Sequence, residues 1–188
     1  MIKQFMTFIL VFILAGCTTT EYNNSNRITK VVTGDLTHYP QQNSTFAWYP
    51  SHSKTFLPDS ANKTLFTRYT TSAITRIMQD KGYTLVDDIQ QADFLVGYGL
   101  AIESELSDDE IFDKVGTTVG LSLNHLDPEQ FQKGSAFIAF YQPLTLQPEW
   151  QVLAQGITEN NKSEQVRKNT IYAVMLSILN QVPSRVAK

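Results

Sequence analysis

The chain has 188 residues, a formal net charge of −3, 42% hydrophobic and 11% aromatic residues, which is the size and apolar content of one ordinary domain with a real core. It contains no run of Lys or Arg, and this excludes nucleic-acid binding, because only a basic face releases phosphate counterions. Its single cysteine allows no disulfide within the chain, so stability rests on packing.

The N-terminus opens with one positive charge, Lys3, followed by an apolar run over residues 5–14. A membrane-spanning helix needs about 20 apolar residues, so this run has the length of a secretory h-region and lies outside the fold. The junction Leu14-Ala15-Gly16-Cys17 resembles the lipobox of bacterial lipoproteins: an aliphatic residue, two small ones that fit a peptidase cleft, and a thiol able to carry a thioether-linked diacylglycerol. The expected organisation is a lipoprotein signal peptide over 1–16, cut between Gly16 and Cys17, then a lipidated, flexible tether over 17–27, then a single periplasmic domain over 28–188. The resemblance implies acyl chains of the palmitate kind on Cys17, and two or more chains make a stable anchor. Thr18 stands where an aspartate serves as the usual inner-membrane retention signal, which favours the periplasmic face of the outer membrane. Residues 18–27 hold one aromatic and no aliphatic residue, the composition of a solvated linker.

Residues 28–33 predict a weak strand ended by Gly34-Asp35, and residues 45–49 a stronger, aromatic one stopped by Pro50. Leu65, Phe66, Tyr69, Ala73, Ile77 and Met78 recur at helical spacing, with Asp59 or Ser60 as N-cap and Gly82 as the left-handed residue that ends the helix. A strand over 83–86 and a turn over 87–91 follow. Residues 94–102 alternate large and small side chains and read as a long strand with two unequal faces. Ser107-Asp108-Asp109-Glu110 is a capping-box pattern opening a short helix to Val115. Pro128 starts a single turn. Strands over 135–141 and 150–157 come next, and a last helix over 163–181 presents Ile171, Val174, Met175, Ile178 and Val182 as one apolar stripe. These elements predict an α+β domain: a two-layer sandwich in which a mostly antiparallel sheet of about five strands is covered on one face by two long helices.

Candidate chemistry is thin. The acidic residues Glu103, Glu105, Asp108, Asp109, Glu110 and Asp113 carry calcium-type ligands but lack the spacing of a calcium loop, and they equally suit a strand end followed by a helix N-terminus. Gly97-Tyr98-Gly99 lacks the third glycine of a dinucleotide fingerprint and sits inside a strand. His38, His52 and His125 form no ligand pair, so no metal site and no cofactor are expected. A nucleophile elbow is absent. Phe46, Trp48, Tyr49 and Trp150 read as core strand residues, or alternatively as the lining of an apolar groove.

Several segments in order resemble the lipoprotein domain-of-unknown-function family 4136. They are Phe46-Ala47-Trp48, Lys81-Gly82-Tyr83 at a helix end, Ala92-Asp93-Phe94-Leu95-Val96-Gly97-Tyr98, Lys133-Gly134-Ser135, the Trp150 strand reaching Gln155-Gly156, and the helix before Pro183. The likeness spans about residues 45–183, and departs from the pattern where Gln151-Val152 replaces an arginine-glycine pair. It implies a lipobox-bearing envelope protein with a compact α+β domain and assigns neither activity nor site residues.

The expectation is a non-catalytic lipoprotein that is held in the outer membrane by its acyl chains and binds an unidentified envelope protein in assembly or maintenance. Two alternatives stay open. One is a carrier of a small apolar or glycan ligand in a groove between helices and sheet, favoured by a cavity lined by Trp48 or Trp150. The other is a hydrolase.

Overall fold

The computed structural model describes residues 28–36, 45–59, 61–124 and 126–185, with all their side chains except those of residues 51–53. Its elements are β1 (Ile28–Gly34), β2 (Thr45–Phe56), α1 (Lys63–Asp80), β3 (Thr84–Leu85), a 3-10 turn (Ile89–Gln91), β4 (Phe94–Ile102), α2 (Asp108–Val115), β5 (Phe131–Tyr141), β6 (Pro148–Glu159) and α3 (Glu164–Leu179). The strands form one sheet in the order β1-β6-β5-β4-β2-β3. The pairs from β4 through β5 and β6 to β1 are antiparallel, whereas β2 runs parallel to both β4 and β3. The α+β class and the mostly antiparallel sheet are therefore present. Among the described residues the sheet has six strands, more than about five, and the segment at Ile28–Gly34 pairs along its whole length with β6 at the edge.

Local chemistry sets the element ends. Asn62, not Asp59 or Ser60, caps α1: its side chain accepts from the Leu65 amide at 3.0 Å, while Asp59 pairs with Lys63 Nζ at 3.0 Å. At the other end Gly82 takes φ 89°. Its amide donates to Gln79 O and that of Tyr83 to Met78 O, a Schellman closure that only a residue tolerant of left-handed backbone accommodates well. The capping box of α2 is formed as its sequence predicts, between Ser107 and Glu110. Pro50 does not end β2. The strand continues to Phe56 through an irregularity between Trp48 and Ser53, where a residue without an amide proton interrupts no regular ladder.

Strand alternation gives the sheet two buried faces. On one, α1 and α3 bury Ile74, Ile77, Met78, Met175, Ile178 and Leu179 against Phe94, Val96, Ile138, Phe140, Trp150 and Val152. The helices are tied at their C-terminal ends, where Lys81 Nζ donates to Val182 O at 2.7 Å and the Arg185 amide to Lys81 O at 2.7 Å. At their N-terminal ends the Tyr69 hydroxyl meets the Glu164 carboxylate. The second face is not left bare as the two-helix layering predicts. The short helix α2 packs there through Ile111, with Leu106, Ala101 and Leu153. Among the described residues no helix is long and apolar enough to cross a membrane.

Candidate functional site

The helix-facing rows of β5 and β6 shrink steadily along the sheet. Cross-strand partners run Phe140↔Trp150, Ile138↔Val152, Ala136↔Ala154 and Gly134↔Gly156. The first two rows fill the space beneath the helices, with Phe140 and Trp150 rings 4.8 Å apart. The last two rows cannot, since alanine and glycine offer almost no side chain. Beneath the N-terminal half of α3 this taper leaves a cleft of about 380 Å³, within the usual range of small-ligand sites. Its floor is the row Ile102↔Gly134↔Gly156↔Ile28 across four strands. Its roof is α3, through Thr170, Ile171, Val174 and Met175, and Phe66 of α1 closes one side. Val166, Asn169 and Ala173 line it and are exposed, so it opens along the flank of α3 beside β1. Among the described residues no charged one lines it.

Nothing in the backbone demands the glycine at 134. A Cβ built there would meet Thr158 Cγ2 at 3.7 Å and Gly156 O at 3.9 Å, ordinary contacts. Glycine inside a strand costs about 0.5–1 kcal/mol relative to alanine, and one recurrent reason to carry it is close approach of a ligand.

On the opposite side of the same two strands lies a polar cluster. Lys133 is 3% exposed, and its Nζ donates to Asp108 Oδ2 at 2.8 Å, to Glu103 Oε1 at 3.0 Å and to Leu121 O at 3.3 Å. All three ammonium protons thus have acceptors. The fully buried Gln155 donates to Asp108 Oδ1 at 2.8 Å and to Ser135 Oγ at 3.2 Å, while its own oxygen accepts from the Leu121 amide. Burial by itself would lower the Lys133 pKa, but the hydrogen bonds and charges of Asp108 and Glu103 outweigh it and hold the ammonium above its ordinary value. For Asp108, burial pushes upward, and the hydrogen bonds from Lys133 and Gln155 overcome it to hold the carboxyl low. The cluster fastens α2 and the chain around Leu121 onto the second face. With its donors committed, Lys133 is a structural clasp rather than a reacting group.

Three of the six acidic residues over 103–113 have structural partners. Glu103 and Asp108 neutralise Lys133, and Glu110 is held low by the Ser107 amide and hydroxyl of the capping box. Among the described residues no group of three His, Cys, Asp or Glu is placed to hold a metal ion. Gly97 and Gly99 sit inside β4, paired with Ala139 and Phe137. The groove between helix layer and sheet is present, but the aromatics do not line it. Phe46 and Trp150 are core residues, Trp48 packs against that core with its ring 5.7 Å from Tyr98, and Tyr49 stacks on Tyr141 at 4.4 Å on the second face. Gly134 and Gly156, which the sequence singles out only as pieces of a resemblance, form the cleft instead. Gly16, Cys17, His38 and His125 lie outside the described residues, as does the side chain of His52.

A family model described as "Domain of unknown function (DUF4136)" matches residues 35–184. Among solved structures, a DUF4136 family protein from Bacteroides thetaiotaomicron VPI-5482 is similar with a TM-score of 0.55 at 12% identity, over 86% of this chain and 98% of that one. The PelC dodecamer from Paraburkholderia phytofirmans is similar with a TM-score of 0.51 at 6% identity, over 86% of this chain and 100% of that one. At such identities the likeness is one of fold. No curated protein matches the chain.

Proposed function

This chain belongs to the DUF4136 family, and from that membership and the geometry of the cleft we propose that it is a non-catalytic lipoprotein, anchored through Cys17 on the periplasmic face of the outer membrane, whose domain holds an apolar ligand. The observation that carries the reading is the facing pair Gly134 and Gly156 under α3, with about 380 Å³ of apolar space above it. Its lining is mostly aliphatic, with Thr158, Asn169 and Thr170 at its edges and no charged group among the described residues, which suits hydrocarbon. The lipobox supports the anchor, and so does the lack of a membrane-spanning helix among the described residues.

The test is direct titration of a soluble Cys17→Ser domain with an uncharged fluorescent acyl probe, a fatty-acid methyl ester. Saturable binding that disappears in Gly134→Leu is expected. A correctly folded domain that takes up no probe would sink the reading.

A second reading, docking of an envelope protein, draws on the β5–β6 hairpin. Leu144 there is 91% exposed, and Leu146 is held at φ 55° and is 47% exposed. A leucine in left-handed backbone is costly, and two exposed leucines on one tip form an apolar knob. Its test is in-cell crosslinking of the wild type beside Leu144→Ser. A partner lost with the leucine supports it, and an unchanged capture pattern counts against it.

A further inference from the structure

We propose that the occupant of the cleft is one of the protein's own acyl chains, carried on Cys17. The proposal rests on the apolar-ligand reading and on lipidation of Cys17, and it names the ligand.

Three observations carry it. The first is where the tether enters. Ile28 belongs to the floor row and lines the cleft, on the side where Val166, Asn169 and Ala173 open to solvent. The polypeptide from Cys17 to Ile28, fully extended, reaches at most about 40 Å, so the lipidated residue stays within that radius of the mouth. A group tethered this closely competes at an effective concentration that a free ligand rarely matches.

The second is the chemistry of the lining. Among the described residues no charged one lines the cleft. Ser135 and Gln155 belong to the polar cluster of the other face, and the Thr170 hydroxyl bonds back to Val166 O. A free fatty acid brings a carboxylate and a phospholipid brings a phosphate, and either would look for a cation here. Lys30, on β1 two residues from Ile28, has its ammonium on Ser177 O at 2.8 Å and is not part of the lining. An acyl chain joined to Cys17 through ester or amide has no charged end and needs no such partner.

The third is capacity. At about 380 Å³ the cleft lies near the lower end of ligand sites, room for most of one chain and not for the full set on a lipoprotein N-terminus. One chain seated under α3 and the rest in the bilayer would clamp the domain against the membrane, with β1 and the flank of α3 facing it. Without a seated chain the domain would swing on its tether.

The experiment uses the full-length lipidated protein in nanodiscs, mixed from isotopically heavy and light copies, with the photoreactive amino acid p-benzoylphenylalanine in place of Ala173. After irradiation and digestion the adducts are read by mass spectrometry. The expected product joins the α3 peptide to the Cys17 lipopeptide of the same copy. It is absent when the photoreactive residue replaces Phe112 on the opposite face, and it is lost in both Gly134→Leu, which fills the floor, and Val166→Glu, an exposed change at the mouth that leaves the core intact. Adducts with bilayer lipid alone, adducts between heavy and light copies, or a Cys17 that carries no acyl chain would each overturn the proposal while leaving the cleft an apolar-ligand site. If no acyl adduct forms and the Cys17→Ser domain also takes up no fluorescent probe, both readings fall.

Discussion

Gly134 and Gly156 face each other across β5 and β6 on the helix side of the sheet, while their neighbours Ser135 and Gln155 face each other on the other side. One pair of short motifs therefore builds two different things: a cleft floor on one face and part of a polar clasp on the other. Strand alternation makes this unavoidable.

The floor is open to a small side chain. Gly134→Ala should raise stability by about 0.5–1 kcal/mol, since the added methyl meets nothing closer than 3.7 Å and the unfolded chain loses freedom. Urea unfolding of the Cys17→Ser domain measures it. A loss of stability would mean the floor is already filled.

Lys133 should be hard to replace. Lys133→Met leaves Asp108, Glu103 and Leu121 O without their shared donor, and breaking a buried pair from one side costs about 3–5 kcal/mol. Because Asp108 is 29% and Glu103 46% exposed, water recovers part of this, and about 2–3 kcal/mol is expected. Hydrogen exchange should show α2 and the chain around Leu121 loosening before the sheet does.

The same cluster sets the pH response. The folded-state pKa of Asp108 is depressed, so its contribution is complete above the unfolded value of about 3.9 and fades as pH falls through the folded value. The Lys133 pKa is raised, so its contribution is complete below about 10.4 and fades as pH rises through the folded value. Denaturation midpoints measured against pH should be flat between these limits with respect to the pair. In Asp108→Asn the acid limb should be shallower.

Tyr141 adds to the alkaline limb. Burial, with the Tyr49 phenol stacked 4.4 Å away, pushes its pKa up to about 12, so the stability it contributes is present below about 10 and lost as pH rises through about 12. Ultraviolet titration should show one phenol ionising at about 12, and Tyr141→Phe should remove it.

At the hairpin tip, Leu146→Gly should relieve backbone strain and stabilise the fold by up to about 1 kcal/mol, as glycine takes positive φ without penalty. Thermal unfolding reads this out. A drop in melting temperature would mean that Leu146 is packed rather than strained.

Much of the architecture is legible in the sequence because it is local. The capping box at Ser107 and Glu110 and the Gly82 closure of α1 are set by residues a turn apart. The apolar stripe of α3 is written in the chain in the same way. The N-cap of α1 is not legible in the sequence, because Asp59, Ser60 and Asn62 are all good caps and only packing selects among them. Pro50 reads as a stop in the sequence, since the irregularity that accommodates it depends on the pairing of β2 with β4.

The sequence by itself determined the elements, the class and the absence of a disulfide, since each follows from composition or from spacing along one segment. It also carried the taper from Trp150 through Val152 and Ala154 to Gly156, and from Phe140 through Ile138 and Ala136 to Gly134. Only the tertiary structure decided that these two tapers lie side by side in register and under α3, turning two runs of ordinary strand residues into a cleft. The same holds for Lys133, whose partners Glu103, Asp108 and Leu121 come from a strand end, a helix start and a loop. A cavity and a buried charge both depend on which side chains converge in space, and convergence between segments far apart in the chain is fixed by strand register and helix placement.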